Sequence, residues 1–200
     1  MLRLLERAGI RDRHVLEAMA RVPRDEFVRS EDRDVAYGDH ALGIGQGQTI
    51  SQPYVVARMT ELLATSPEHR VLEVGTGSGY QAAVLAELVR EVISVERHGP
   101  LADEARERLE RLGYGNVKVI HADASLGWPA EAPYDRIIVT AASPRIDPVL
   151  AAQLAPGGRI VAPVGDLELQ ELIVRHDDGR EEHHGPVKFV PLRGAAGFDR

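Results

Sequence analysis

The fold of this chain is decided by Val71-Leu72-Glu73-Val74-Gly75-Thr76-Gly77-Ser78-Gly79, a short apolar run that leads directly into three alternating glycines. The apolar run predicts a buried strand, and the apolar spacing that follows predicts a helix through Val89. Glycine lets the backbone turn tightly and lets a ligand approach where a Cβ would clash, beside the positive end of the next helix. The dinucleotide fingerprint needs glycine at its sixth position, where this chain has Tyr80. The stretch therefore indicates a cofactor loop of another type.

Strands and helices alternate on the C-terminal side of this loop. We predict strands at 91–96, 117–121, 136–140 and 159–163, and helices at 100–112 and 146–154. Two last apolar runs, 168–175 and 187–192, flank Asp177-Asp178-Gly179-Arg180, which is a hairpin signal. The pattern predicts an α/β fold with a doubly wound, mainly parallel, Rossmann-like sheet and antiparallel strands at its C-terminal end.

The N-terminal third predicts a helical extension of the same domain. Asp12 is placed to cap a helix that ends before Pro23. Residues 37–51 contain four glycines, a density that argues against a helix or a regular strand, and an amphipathic helix follows at 55–63. We divide the single domain into three parts: a substrate-cap region at 1–66, a cofactor-binding core at 67–165, and C-terminal antiparallel strands and tail at 166–200.

Two acidic residues follow predicted strands at positions suited to a nucleoside. Glu96 ends the second strand of the core, 21 residues after Gly75, where a carboxylate accepts hydrogen bonds from both ribose hydroxyls. Asp123 follows the third strand, where it or the nearby backbone can contact an adenine edge. Single acids at strand ends are usually only solvated, but the glycine loop and both acids in this order favour a cofactor site.

The composition excludes several classes of function. Among 200 residues, 24 Lys and Arg stand against 31 Asp and Glu, so the net charge is −7, which argues against binding nucleic acid by bulk charge. The chain contains no cysteine, so it has no disulfide and no thiolate nucleophile. No apolar run approaches the ~18 residues of a membrane span, and charges interrupt the leucines of the first seven residues. We expect a cytoplasmic monomer that binds neither nucleic acid nor membrane. No histidine pair has metal-site spacing, so we expect no metal.

Five further blocks extend the pattern over nearly the whole chain. They are Arg21-Val22-Pro23-Arg24-Asp25-Glu26-Phe27-Val28, Gly47-Gln48-Thr49-Ile50-Ser51-Gln52-Pro53, Tyr134-Asp135-Arg136-Ile137-Ile138-Val139-Thr140-Ala141, Leu154-x-Pro156-Gly157-Gly158-Arg159 and Val187-x-Phe189-Val190-Pro191-Leu192. Together with the glycine loop, and in this order, they resemble the protein-L-isoaspartate (D-aspartate) O-methyltransferases, a class I S-adenosylmethionine-dependent family. The resemblance is much more specific than the glycine loop, which many methyltransferases share.

The resemblance implies a protein-repair enzyme that moves a methyl group from S-adenosylmethionine to the α-carboxyl of L-isoaspartyl residues in damaged proteins and peptides. It implies that Ser51 is the catalytic residue, that Ile50 lies beside the site, and that 189–192 border the peptide groove. The cofactor-binding residues that it implies are Gln48, Thr49, Gly75, Gly77, Ser78, Gly79, Glu96, Arg97, Asp123 and Ala124. Ala122 and Ala124 stand where the family usually has glycine.

Three alternatives stay open at this point. Ser51 is also suited to be the N-cap of the following helix, with Pro53 in its first turn. The substrate could be another peptide carboxylate, since the chemistry needs only a positioned carboxylate and a reactive cofactor. The chain could also be a non-catalytic module that binds the cofactor without turnover.

Overall fold

Nine strands, in two sheets, organise the computed structural model, which describes residues 1–198. Asp199 and Arg200, the end of the tail predicted at 166–200, lie outside the described residues. A small sheet contains β1 (Leu42–Gly45) and β2 (Gln48–Ile50). The main sheet contains β3 (Arg70–Val74), β4 (Glu91–Glu96), β5 (Val117–His121), β6 (Tyr134–Val139), β7 (Leu154–Gly165), β8 (Gln170–His176) and β9 (Glu181–Val187).

The main sheet has the order β5-β4-β3-β6-β7-β8-β9. The first five strands in this order are parallel, and β8 and β9 are added antiparallel. The predicted fold class is therefore confirmed. The chain adds strands on one side of β3 and then returns to its other side at β6, so the carboxyl ends of β3 and β6 form the switch point where ligands bind in open α/β sheets.

Six α-helices flank the sheets in the described residues: α1 (Leu2–Arg7), α2 (Arg13–Arg21), α3 (Pro53–Leu63), α4 (Tyr80–Ala86), α5 (Gly99–Arg111) and α6 (Pro148–Ala151). Short 3₁₀ turns lie at Arg24–Phe27, Ser30–Val35 and Pro129–Glu131. Within residues 1–198, no helix combines the length and apolarity that crossing a bilayer requires.

Both faces of the central strand are covered, which is why β3 is buried and mostly apolar rather than alternating. Val71 packs into a cluster with α3 and the N-terminal helices, while Leu72 packs into a second cluster with Leu150 of α6. The N-terminal extension thus shares the main core and is held there by burial of side chains such as Met19 and Phe27.

The glycine-rich segment 37–51 contains a short antiparallel hairpin, so the expectation that it lacks regular strands was wrong. Gly45, Gln46 and Gly47 have φ values of 99°, 52° and 71°, a left-handed path that reverses the chain between β1 and β2. The glycines therefore permit the tight turn of the hairpin instead of preventing strands.

The predicted strand at 187–192 was also wrong. The short turn after β8 pairs Arg175 with Glu181, so Val187 already reaches Gln170 at the far end of β8. The chain then leaves β9 and crosses the carboxyl end of β6, where the Leu192 amide donates to the carbonyl of Ala142 at 2.6 Å. This crossing brings the C-terminal segment over the switch point.

Two predicted helices are longer than the observed ones. The first was expected to run through Val89, and α4 ends at Ala86. The second was expected over 146–154, and α6 stops at Ala151 because Leu154 already pairs with Tyr134 and begins β7.

We expect Leu72→Ala to lower the free energy of unfolding by about 2–5 kcal/mol, because Leu72 is fully buried in the central strand and its truncation leaves a cavity. The matched control is Leu167→Ala, since Leu167 is 56% exposed, and we expect it to change stability by less than about 0.5 kcal/mol. Urea unfolding followed by circular dichroism measures both, and equal losses would contradict the assignment of β3 to the core.

Candidate active site

The glycine loop after β3 follows a left-handed path that only glycine adopts without strain. Gly75, Gly77 and Gly79 have φ values of 98°, 53° and 87°. At Gly75 a Cβ would also come within 2.5 Å of the Thr140 hydroxyl oxygen. That hydroxyl lies 2.5 Å from the Gly75 carbonyl oxygen and 3.0 Å from that of Val74, within donating distance of both, and so ties the loop to the carboxyl end of β6.

The carboxylate of Glu96 holds the other side of the loop. One oxygen accepts the Gly77 amide at 2.9 Å, and the other accepts the His98 amide at 2.8 Å. Glu96 is 5% exposed and lines the cleft above the loop. Because each carboxylate oxygen has two lone pairs, Glu96 can accept one more hydrogen bond at each oxygen. We call these two hydrogen bonds to the backbone amides of Gly77 and His98 the Glu96 clamp. They leave Glu96 able to bind ribose hydroxyls as well.

A second acidic side chain lies fully buried beneath the loop. Glu73 accepts a hydrogen bond from the Ser94 hydroxyl, which lies 2.5 Å from the hydroxyl of Thr76. Burial and, to a smaller extent, the negative charge of Glu96 raise the pKa of Glu73 to about 8, while the Ser94 hydrogen bond opposes the rise. Glu73 is therefore mainly protonated at neutral pH, which reduces its repulsion with the neighbouring Glu96.

A cleft that is partly open to solvent lies at the switch point. It brings together nine of the eleven predicted site residues, namely Gln48, Thr49, Ser51, Gly75, Gly77, Ser78, Glu96, Arg97 and Ala124. Ile50 and the segment 189–192, predicted to lie near the substrate, also line it. The walls therefore come from the hairpin, the glycine loop and the C-terminal crossing.

Gly79 and Asp123 are the two predicted residues that do not line the cleft. A Cβ at Gly79 would lie 3.3 Å from Leu109, so this glycine lets the loop pack against α5. The carboxylate of Asp123 accepts the amides of Ser125 at 2.9 Å and Ala195 at 3.1 Å. Asp123 therefore anchors the C-terminal segment. Its predicted contact with an adenine would have to use a carboxylate lone pair that the hydrogen bonds to Ser125 and Ala195 do not occupy.

Sequence reasoning missed several lining residues, among them Tyr80, Gln81, Thr140, Ala141 and Arg193. Thr140 could have been found, since it follows β6 at the switch point, where ligand contacts concentrate in this fold. No feature of the sequence indicated that Arg193 lines the cleft, because it reaches the cleft through the crossing of the chain that the sequence did not predict.

Ser51 is not the N-cap of α3, so that alternative was wrong. The N-cap is Gln52. The first turn of the helix is capped by Asp39 instead, because the Tyr54 amide donates a hydrogen bond to the Asp39 carboxylate at 2.9 Å. Within residues 1–198, the Ser51 hydroxyl makes no hydrogen bond, and Ser51 is half-buried in the wall of the cleft. A hydroxyl in this state is available to a ligand.

Histidine and carboxylate side chains do not converge into a metal-ligand set in the part of the chain that the structure describes. His98 lines the cleft, but its backbone amide serves the Glu96 clamp. The polar residues that line the cleft include hydroxyls, amides, the guanidinium groups of Arg97 and Arg193 and the Glu96 carboxylate, which suit an organic ligand with hydroxyl, amine and carboxylate groups.

Comparison with known proteins agrees with this geometry. The family model described as protein-L-isoaspartate(D-aspartate) O-methyltransferase (PCMT) matches residues 1–197. The chain belongs to this family. The predicted family and enzyme class are thereby confirmed.

Individual relatives of the family match over almost the full chain. A Pelobacter propionicus protein-L-isoaspartate O-methyltransferase is 54% identical over 95% of this chain and 87% of its own length. A Methanopyrus kandleri relative of the same name is 53% identical over 98% and 92%.

Solved structures of the family share the fold. One protein-L-isoaspartate O-methyltransferase superposes with a TM-score of 0.86 at 28% identity, covering 98% of this chain and 66% of that longer one. A Plasmodium falciparum structure described as a beta-aspartate methyltransferase (PCMT) in complex with S-adenosyl-L-homocysteine has a TM-score of 0.83 at 27% identity, covering 96% of both chains.

The buried Glu73 predicts a pH dependence of stability. Its pKa is about 8 in the folded chain against 4.5 as the ordinary value, so its contribution is complete below pH 4.5 and is lost as pH rises to about 8. We expect the free energy of unfolding of the wild type to fall over this range relative to the neutral isostere Glu73→Gln.

Urea unfolding at several pH values between 5 and 9 measures this difference. Glu68→Gln, at an exposed position, is the matched control and should follow the wild-type curve. Parallel curves for the wild type and Glu73→Gln would show that Glu73 is ionised throughout.

Proposed function

We propose that this protein transfers a methyl group from S-adenosylmethionine to the α-carboxyl of L-isoaspartyl residues in damaged proteins and peptides, the first step of their repair. The observation that carries the proposal is the Ser51 hydroxyl, which forms no hydrogen bond within residues 1–198 and lies in the wall of the same cleft as the glycine loop and the Glu96 clamp. Membership of the family supplies the reaction class, and the cleft supplies residues for both ligands.

The cofactor end of the cleft fits a nucleoside with a charged amino-acid tail. Glu96 would hold the ribose hydroxyls, and the glycine loop would leave room for the tail because Gly75 and Gly77 have no side chains. Gln48, Thr49, Ser78, Arg97 and Ala124 would complete this end. S-adenosylmethionine, when bound, supplies a methyl group that its sulfonium already makes electrophilic.

The substrate end needs little chemistry from the protein. An α-carboxyl with an ordinary pKa near 3.5 is ionised at neutral pH, so it attacks without a general base. Ser51 would donate a hydrogen bond to one carboxylate oxygen and leave the other oxygen free to take the methyl group as an ester, with the bond from methyl carbon to sulfur broken and the neutral thioether as the leaving group. No proton moves in this step. The chain contributes mainly by alignment and by excluding water behind the segment 189–192.

We further propose, from the sequence, that the protein needs no metal, is a monomer, associates with neither nucleic acid nor membranes, and is cytoplasmic. The same proposal divides the chain at 66 and 165 into the cap region, the cofactor-binding core and the C-terminal part.

We expect methylation of an L-isoaspartyl peptide and at most trace methylation of its normal aspartyl twin, because the cleft must align one particular carboxylate. Labelled S-adenosylmethionine and the two peptides at equal concentration measure this preference. Equal rates would indicate another carboxylate substrate, and no transfer to any peptide would indicate a non-catalytic module.

We expect Ser51→Ala to lower kcat by about a hundredfold, because the carboxylate loses the donor that orients it. Its Kd for S-adenosylhomocysteine, measured by calorimetry, should stay within about twofold, since Glu96 and the glycine loop are unchanged. Ser30→Ala, at an exposed position of the cap region, is the matched control. Wild-type turnover in Ser51→Ala would remove Ser51 from the mechanism.

A further inference from the structure

Arg24 is a fully buried cation in the N-terminal extension. It is the largest of the fully buried side chains, with 0% exposure, although arginine is almost never fully buried unless it is paired. Among residues 1–198, it forms no ion pair with a carboxylate. Its burial therefore needs another explanation than charge neutralisation.

The guanidinium is held by backbone carbonyls and an aromatic ring. Its Nε donates to the carbonyl of Ala36 at 2.8 Å, and its Nη2 donates to the carbonyl of Ser51 at 2.6 Å. Its central carbon lies 4.7 Å from the centre of the Tyr80 ring, and Phe27 packs edge-on against that ring at 5.5 Å. Two charge-assisted hydrogen bonds and a cation–π contact offset part of the cost of burying the charge.

These contacts place the guanidinium directly behind the wall of the cleft. Ser51 and Tyr80 both line the cleft, and Arg24 does not. Helix α3 makes no use of the Ser51 carbonyl, because the amides of Val55 and Val56 donate to Gln52 instead. Arg24 is therefore the hydrogen-bond donor that fixes the Ser51 main chain, at a point where the three-residue strand β2 has just ended.

We propose that Arg24 is a positioning residue for methyl transfer: its guanidinium fixes the Ser51 main chain against Ala36 and Tyr80, so that the Ser51 hydroxyl meets the substrate carboxylate. The proposal rests on the proposed function of Ser51 and adds the residue that sets its place. Arginine suits this role because its planar fork donates in two fixed directions, which a flexible lysine ammonium does not reproduce.

A double-mutant cycle on kcat with the L-isoaspartyl peptide separates positioning from general structural support. We expect Arg24→Met to lower kcat by about tenfold to a hundredfold in the wild type, since small misplacements of a positioning group have effects of this size. In the Ser51→Ala background, the same change should lower kcat by less than about twofold, because the hydroxyl that Arg24 positions is already gone. The Kd for S-adenosylhomocysteine should stay within about twofold in all four proteins.

Two further variants keep the test decisive. Arg24→Lys keeps a positive charge at this buried position and serves as the test variant if Arg24→Met unfolds. We expect it to lose less kcat than Arg24→Met, with the same dependence on Ser51. Arg21→Met removes an arginine of the same extension that pairs with Glu87 at the surface, and it should leave kcat within about twofold. Urea midpoints establish that each variant is folded under the assay conditions.

Equal losses of kcat in the two backgrounds, or loss of S-adenosylhomocysteine binding with Arg24→Met, would overturn the proposal, since Arg24 would then support the fold as a whole. A wild type that methylates the isoaspartyl peptide while Arg24→Met does so equally well overturns this proposal alone. A wild type that does not methylate that peptide overturns the proposed function, and this proposal with it.

Discussion

The carboxylate of Glu96 joins the two strand ends that build the cleft. It accepts one amide from the glycine loop after β3 and one from the chain after β4. Gly77 has a left-handed backbone and donates its amide to this carboxylate. Burial, with the nearby charge of Glu96, raises the pKa of Glu73 to about 8, so this second acid is largely protonated at neutral pH. Two charged carboxylates at this place would repel each other in a poorly solvated region, and the protonation of Glu73 reduces that repulsion.

The sequence predicted the parts of the fold that local pattern determines. The central strands and the glycine loop were recognised because β3 and β4 are buried on both faces and mostly apolar, and because left-handed turns need glycine. The hairpin at 42–50 was missed, since the glycines that permit its turn also weaken the strand signal. The crossing at 188–192 was missed because it depends on pairing register, which brings Val187 to the far end of β8.

In the candidate site, too, local sequence pattern predicted some residues, while contacts between distant parts of the chain were not predictable. Glu96 and Ser51 were predicted as site residues from spacing and from the family resemblance, and both line one cleft in the structure. The role of Arg24 could not be read from the sequence, because its partners are backbone carbonyls of Ala36 and Ser51, 12 and 27 residues away. Contacts of this kind leave no residue-type pattern, and only the fold reveals them.

The N-terminal extension and the C-terminal crossing cover the switch point from two sides. Arg24 of the extension donates a hydrogen bond to the Ser51 carbonyl and so holds Ser51 in the wall of the cleft. We infer that Ser51 holds the substrate carboxylate within this cleft. A crystal structure with S-adenosylhomocysteine and an L-isoaspartyl peptide would test this placement. We expect an α-carboxylate oxygen about 2.6–3.0 Å from the Ser51 hydroxyl oxygen, with the ribose on Glu96. A peptide carboxylate bound away from Ser51 would contradict it.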